Sequence, residues 1–587
     1  MQLKPLGVKY VHPDAANSEA KIKAALKELN DARVKVLTAA LKQFDRVGEF
    51  TPTGRQKKWG KKDIEDFLKD PTNDIEFLQD DIREIWLDWQ EEYPEPTYAD
   101  IPKEIMYQYA GEDVTTMMEL MEQALPTLVQ RDQLSVLERE RKMILPSLRM
   151  EREGMLVDMA YILESKQKMQ DYIRSCRAEM EQIAGEKVTV NQHARIKQLF
   201  DERWGICLEK SDKSAMKTVA KNFEGEPKRF AELINTLRTA EKWYSTYIKR
   251  VIGLAEYDGR AYTQINLSGA LSGRMSSDFQ QFPRDGFKHL DTGEELFKPR
   301  RAFIVGGYEH TMVYIDYDQI ELVTQSHYCV KLGAKGTNLI RAYMPYHCKH
   351  YLTGETYDYL TAEGRVRWNE VRPDGTTVWL TESGELWERT DIHTLTASNA
   401  YKDIDPKSED FKKNYRPKGK TTNFASNYGG SAAALVDVLM ITWEEAEQLV
   451  NGYNESFPEV KYYQEMIQKA HARKGYVENW LKRRYYLKNN RDAYKLANAI
   501  IQGTCADAFK DAIIELDEFL LDYKSKMVLP VHDEMSFKVY DDEKNIIPRL
   551  QEIMEKAFDW CLVPVTAGVE ASKTYWSAKK DYELEEE

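Results

Sequence analysis

Cysteine is scarce and scattered in this sequence, with six in 587 residues (Cys176, Cys207, Cys329, Cys348, Cys505 and Cys561) and no CxxC pair. That pattern excludes a disulfide framework and a zinc ribbon. HCKH, His347 to His350, is a lone cluster of ligand-type residues and by itself a weak zinc signal. No run of about 18 apolar residues occurs, so no membrane span is expected. The opening MQLKPLGVKYVHPD lacks the charged-then-apolar layout of a secretory leader, and a soluble, intracellular chain is expected. Positive charge is also short: 83 Lys and Arg against 97 Asp and Glu give a net charge of −14. Spread evenly, that balance would exclude a nucleic-acid partner. It is not spread evenly. Acidic residues crowd DIEFLQDDIREIWLDWQEEYPEPTYAD and the tail DYELEEE, while KKNYRPKGK and WLKRRYYLKNNR are basic islands interleaved with aromatics.

What is abundant is core material. Hydrophobic residues make up 42% of the chain, with 12 Trp and 34 Tyr, enough for several packed domains at this length. From Leu125 to Arg250 apolar residues recur at three-to-four spacing, predicting long helices, one of which stops at Gly185. From Tyr262 the texture turns to short strands and Gly/Ser turns. Between Gly333 and Asp391, turn signals (AEGR, RPDGT, ESGE) separate VRWNEV, TVWL and ELWERT and predict a β-hairpin array. DIHTLTASNAY then returns to helix.

Three stretches carry chemistry. MVYIDYDQIELVTQ, Met312 to Gln325, is a buried-strand pattern that ends in Asp-Tyr-Asp; an Asp there is either a turn former or a metal ligand. KMVLPVHDEMSFKVY reads as strand, turn, strand, with His532, Asp533 and Glu534 at the turn. If the two strands are neighbours in one sheet, Asp316 and Asp533 can share a pair of divalent ions, with Mg²⁺ favoured by oxygen ligands. In RPKGKTTNFASNYGG, Arg416, Lys420, Phe424 and Tyr428 fall four apart on one helical face, two cations followed by two rings. Cations for a triphosphate and rings for a base point to phosphoryl or nucleotidyl transfer on a polyanion.

The same stretches, in this order, resemble family A (polymerase I-like) DNA polymerases, especially phage members. DYDQIEL is similar to motif A of that family, RPKGKTTNFASNYGG to motif B and VHDE to motif C. SGRMSS, FQQFP, RRAF, DIH, GYVENWLKRRYYL and NAIIQGTCAD follow the family order as well. The resemblance implies a multidomain α/β (α+β) chain with a right-hand polymerase fold: an antiparallel palm sheet, helical fingers and thumb, and a partial RNase H-like 3′→5′ exonuclease domain. Its implied boundaries are 1–130 for the exonuclease-like part, 131–260 for the thumb, 261–330 and 506–587 for the palm, and 331–505 for the fingers, with the hairpin insertion at about 333–390.

Carried over residue by residue, the resemblance makes Asp316 and Asp533 the catalytic metal carboxylates, with Glu534 accessory and the Tyr317 carbonyl a further ligand of two Mg²⁺ ions, for which Mn²⁺ is a substitute. Gln319, His393, Arg416, Lys420, Phe424 and Tyr428 are implied to bind the incoming nucleotide. Glu321, held by Tyr428, is the implied steric gate against a ribose 2′-OH. Arg274, Gln280, Asn498, Gln502 and His532 are implied contacts to primer–template DNA, the minor-groove readers among them testing pair geometry rather than sequence. The chain departs from the family at Asp318 (usually Ser), Val323 (usually Arg), Ala425 (usually Gly) and Tyr494 (often Arg). Phe424 in place of Tyr implies discrimination against dideoxynucleotides.

YADIPKEIMYQYAGEDV resembles the third exonuclease motif through Tyr109 and Asp113, yet the carboxylates of the other motifs have no counterpart upstream. The expectation is a chain that by itself lacks proofreading, with the rest of that domain on a separate polypeptide or removed. The implied setting is phage DNA replication in the cytoplasm of the infected host, with dNTPs as substrates. A single-subunit RNA polymerase and a non-catalytic DNA-binding relative are the competing readings. Glu321 and Glu534 oppose the first; intact Asp316, Asp533 and Lys420 oppose the second.

Overall fold

The computed structural model describes residues 17–50, 56–69, 78, 80–307, 309–333, 338–343, 359–360, 365–371, 377–381, 386–387, 391–427, 432–487, 494–561 and 565–582. Two compact units emerge: Met1–Arg131 with Asp158–Gly259 and Pro283–Ala302, and Asp132–Val157 with Arg260–Phe282 and Phe303–Glu587. HCKH and Tyr428 lie outside the described residues.

In the first unit, helices Asn17–Leu41, Lys61–Lys69 and Asp80–Glu92 enclose Val34, Leu37, Ile64, Trp59, Trp86 and Trp89. Trp59 and Trp86 meet edge to face at 5.8 Å, the geometry that ring quadrupoles favour. The sheet among the described residues before Arg131 is a two-stranded pair, Asp45–Phe50 with Gln56–Lys58, so an RNase H-like sheet finds no larger counterpart there. The expected long helices are present further on. Met159–Ala184 starts where the Asp158 side chain accepts the Tyr161 N–H and stops at Gly185, whose φ of 73° is left-handed, a conformation glycine adopts without steric cost. Glu226–Trp243 packs beside it.

The second unit is built on an antiparallel sheet of five strands: β1 (His310–Tyr317), β2 (Lys526–Val531), β3 (Glu534–Tyr540), β4 (Ala567–Ser572) and β5 (Lys580–Asp581), in the order β2–β3–β1–β4–β5. Strand alternation sorts β1 into two faces. Val313, Ile315 and Tyr317 join Met535, Phe537 and Val539 of β3 in the main core; Tyr314 and Asp316 point to the other face. Four helices complete the frame of the site: α1 (Ile320–Lys331), α2 (Ile392–Ala400), α3 (Arg416–Asn427) and α4 (Tyr494–Phe519). Through Leu496, Ile500, Phe509, Ile513 and Leu516, α4 lines the same core as β1 and β3. Gly419 lets α3 lie directly on α2, because a Cβ there would stand 2.3 Å from the His393 carbonyl oxygen.

The hairpin-rich segment contains four antiparallel strands, Tyr359–Leu360, Arg365–Val371, Thr377–Thr381 and Leu386–Trp387, in line with the sequence pattern. Among the described residues no helix is long and apolar enough to cross a membrane.

Candidate active site

The strand that ends in Asp-Tyr-Asp is a central strand, and its register brings the carboxylates together. On one side Asp316 pairs with Glu534 of β3, and on the other with Gly568 of β4. The Tyr317 N–H reaches the Asp533 carbonyl oxygen at 3.4 Å. Motifs A and C therefore sit on adjacent strands, as a shared ion site requires. Tyr317 itself is an anchor: its buried hydroxyl donates to the Met554 carbonyl at 2.7 Å, and its ring meets Phe509 and Phe558. Asp318, the first departure from the family, accepts from Thr566 Oγ1 at 2.9 Å, tying the end of β1 to the loop before β4. Val323, the second, is buried in the core.

His532 and Asp533 form the two-residue turn between β2 and β3, and His532 has φ 61°. Such turns favour glycine at their first position; a histidine there costs backbone strain of about 1–3 kcal/mol. Gln319, at the entry to α1, is a second non-glycine in the left-handed region, with φ 47°, and its Oε1 accepts the Tyr343 hydroxyl at 3.1 Å. Both strained residues flank the carboxylates, where strain of this kind concentrates.

Arg274, His532 and Asp533 line one small cavity of about 40 Å³, together with Ile320 and Cys505. Burial pushes the Asp533 carboxyl up from its ordinary value; Glu321 adds to this, and Arg274 and His532 oppose it. Glu321, in the first turn of α1, is ion-paired to Arg274. Glu321, the expected gate residue, and Arg274, the expected minor-groove contact, thus hold each other in this structure, a partnership the motifs did not announce. Gln280 is otherwise engaged: it accepts the Ser277 N–H and donates to the Pro530 carbonyl at 3.2 Å, fastening a short turn to β2. Asn498 and Gln502 are half-buried one turn apart on α4.

On α3, Lys420 and Phe424 are exposed and Arg416 is half-exposed. Arg416 Nε donates to Asp391 at 2.7 Å. Asp391 also caps α2, accepting from the His393 N–H and Thr394 Oγ1. Burial works to raise the Asp391 pKa, yet Arg416, Thr394 and the His393 N–H together bring it down to about 2. His393 lies 6.0 Å from the Phe424 ring. Burial lowers its pKa, with Asp391 opposing and Arg416 and Lys420 assisting. Asn423 fixes its orientation. The Asn423 side chain accepts from Thr396 Oγ1 at 2.6 Å and donates to the Ile392 carbonyl and to His393 Nδ1 at 3.1 Å. With Nδ1 as acceptor, the proton sits on Nε2, which is left as a donor. Sequence reasoning missed Asn423 and Asp391; an Asn next to Phe424 and an Asp two residues before His393 were the available signals.

The donor set suits a divalent ion of the Mg²⁺ type. Such ions bind through one or two carboxylates and complete their shell with water and substrate phosphate. Asp316 and Asp533 supply two carboxylates on neighbouring strands, and Glu534 keeps its Oε1 buried without a hydrogen-bond partner among the described residues. No three His, Cys, Asp or Glu side chains among the described residues form a closed cage.

Residues 159–347 and 383–577 match the profile of DNA polymerase family A. The chain is 29% identical over 482 residues to DNA polymerase I of Streptococcus pneumoniae serotype 4, covering 78% of this chain and 48% of that protein. It is 29% identical over 454 residues to the thermostable DNA polymerase I of Thermus aquaticus, covering 73% and 47%. It thus spans about half the length of the curated relatives it matches. Among solved structures, the POL domain of Pol1 from M. smegmatis in complex with DNA primer-template and dNTP aligns with a TM-score of 0.60 at 24% identity, over 81% of this chain and 76% of that one, and so shares the fold.

Proposed function

The chain belongs to DNA polymerase family A, and on that premise we propose that it adds dNTPs to a primer 3′-OH under the direction of a template, releasing pyrophosphate. The observation that carries this reading is the register that sets Asp316 opposite Glu534, with Asp533 at the adjoining turn. Asp316 and Asp533 would hold two Mg²⁺ ions, with Glu534 accessory and the Tyr317 carbonyl a further ligand, and the ions would supply activation of the attacking oxygen and stabilisation of the leaving phosphate. The chain's own residues do the rest. Lys420, Arg416 and the His393 Nε2–H bind and orient the triphosphate, with Tyr428 and Phe424 against the base. For Arg416 to do so it exchanges its Asp391 partner for phosphate. Glu321 excludes a ribose 2′-OH by volume, while Arg274, Asn498 and Gln502 offer donors to the minor groove. His532 positions the primer end, and Gln319 lines the nucleotide side of the turn after β1.

The reading extends to phage DNA replication in the cytoplasm of the infected host, supported by the likeness of the motifs to phage members. It also holds that this chain alone lacks proofreading. Tyr109 and Asp113 lie on helix Lys103–Gln130 and interact with each other, while the other exonuclease motifs find no counterpart upstream of them. A separate polypeptide carrying the rest of the exonuclease domain is the partner proposed.

A primer-extension gel with Mg²⁺ tests the whole reading, run with dNTPs, with rNTPs and without nucleotide, beside Asp533→Ala. The expected result is extension with dNTPs alone, lost in the variant, and no shortening in the nucleotide-free lane. Extension with rNTPs at a comparable rate overturns the substrate assignment, and shortening abolished by Asp113→Ala overturns the loss of proofreading.

A further inference from the structure

The sheet face that carries Asp316 also holds a cation that no motif marks. Lys579, one residue before β5, has a side chain only 14% exposed. Its ammonium donates to Glu534 Oε2 at 2.6 Å, pairs with Glu570 of β4, and stands 5.3 Å from the centroid of the Tyr314 ring. The register explains how one side chain meets three strands. Glu570, Tyr314 and Ser536 form one cross-strand row, and Gly568, Asp316 and Glu534 form the next. By alternation all of these residues project to the same face. The ammonium thus meets side chains of β4, β1 and β3 on this one face. Gly568 leaves the row of Asp316 open, since a Cβ added there would meet nothing within 4 Å.

Asp316, Asp533 and Glu534 are three carboxylates at the end of two paired strands, and Glu534 is only 2% exposed. Like charges so placed repel, and a buried carboxylate without a cation is costly. We propose that Lys579 is a positioning residue of the polymerase centre: its ammonium neutralises Glu534 and holds that carboxylate to the sheet face, so that Asp316 and Asp533 alone meet the divalent ions. This rests on the polymerase reading above. Without the ammonium, Glu534 is free to turn toward its cross-strand neighbour and add a third charge to the ion site. Divalent ions then bind more tightly before nucleotide arrives, and turnover falls because the ions no longer sit where two carboxylates would hold them.

The test measures two quantities on the full chain. One is the affinity for Mn²⁺ without DNA or nucleotide, read from the electron paramagnetic resonance signal of the free ion; the other is kcat and KM in primer extension. Lys579→Met is expected to bind Mn²⁺ roughly 10-fold more tightly, the scale of one unit charge acting through a partly solvated site. Its kcat is expected to fall while the KM for dNTP stays as in the wild type. The double variant Glu534→Gln/Lys579→Met removes both partners of the buried pair and leaves only the part-exposed Glu570 without its lysine, so it folds even where the single variant does not. It is expected to show the Mn²⁺ affinity and kcat of Glu534→Gln alone. A lysine that only stabilises the sheet would leave Mn²⁺ affinity unmoved and lower kcat further in the Glu534→Gln background; either result overturns the proposal. If the wild-type chain extends no primer, the polymerase reading fails, and the Mn²⁺ comparison still judges the lysine.

Discussion

His393 shows how much of a single residue's chemistry is set by its neighbours. Its ring is neutral and its tautomer assigned because Asn423, itself 1% exposed, points an N–H at Nδ1. Asn423→Asp keeps the shape and reverses the polarity, so Nδ1 takes up the proton and Nε2 loses its donor role unless the ring is charged. The expected outcome is a rise in the KM for dNTP of roughly 10- to 100-fold, the scale of one lost hydrogen bond to a charged group, together with a change in the ¹⁵N shifts of the His393 ring. An unchanged ring signal would show that Asn423 does not set the tautomer. The sequence marked His393 through its place in DIH; nothing in it said which nitrogen faces outward, because that depends on an amide 30 residues away.

At the scale of elements, α4 is the best example of support hidden from pattern reading. Its upper part carries Asn498 and Gln502, and its middle is fixed by a buried ionic cluster. The fully buried Asp507 carboxylate accepts from Arg483 at 2.6 Å and from Asn479 at 2.8 Å, while Lys510 donates to Glu140 at 2.6 Å. Arg483 also pairs with Glu140, joining the two halves. Burial lowers the Lys510 pKa, with Glu140 opposing. Removing one member of such a cluster leaves an uncompensated charge, so Asp507→Ala is expected to destabilise the fold by about 3–5 kcal/mol, measured by chemical denaturation. Asp507→Asn, which keeps the hydrogen bond to Asn479 in reach, is expected to cost less. In the sequence Arg483 stands within a basic island interleaved with aromatics, WLKRRYYLKNNR, and a run of cations reveals neither its burial nor its distant carboxylates.

For the molecule as a whole, pH is the most direct probe of how tightly the second unit is packed. His327 on α1 has 0% exposure and lies edge-on to Trp480 at 4.6 Å and Trp560 at 5.1 Å. Burial, and then the charge of Lys331, lower its pKa from 6.5 to about 4. A histidine that is neutral in the fold and easier to protonate when unfolded contributes stability in full above pH 6.5. That contribution is lost as the pH falls toward 4, and it amounts to about 3 kcal/mol for a shift of this size. Denaturation followed by tryptophan fluorescence is expected to show this loss in the wild type, and a smaller one in His327→Phe. Equal pH profiles for the two would mean that His327 is not buried in this way.

The sequence by itself determined which chemistry to propose. Two carboxylate motifs, a helix of cations and rings at four-residue spacing, and their order along the chain are local patterns, set by the 2.0 and 3.6 periods of strand and helix. The hairpin strands and the helix that carries His393 were legible for the same reason. Only the tertiary structure decided which strands are neighbours and hence that Asp316 faces Glu534. It alone paired Glu321 with Arg274, engaged Gln280 with the backbone, and brought Lys579 to the sheet face that carries Asp316 and Glu534. The physical reason is common to all four. Register and long-range ion pairs follow from how cores pack and how buried charges find partners, and neither is encoded in the spacing of residues along one strand or helix.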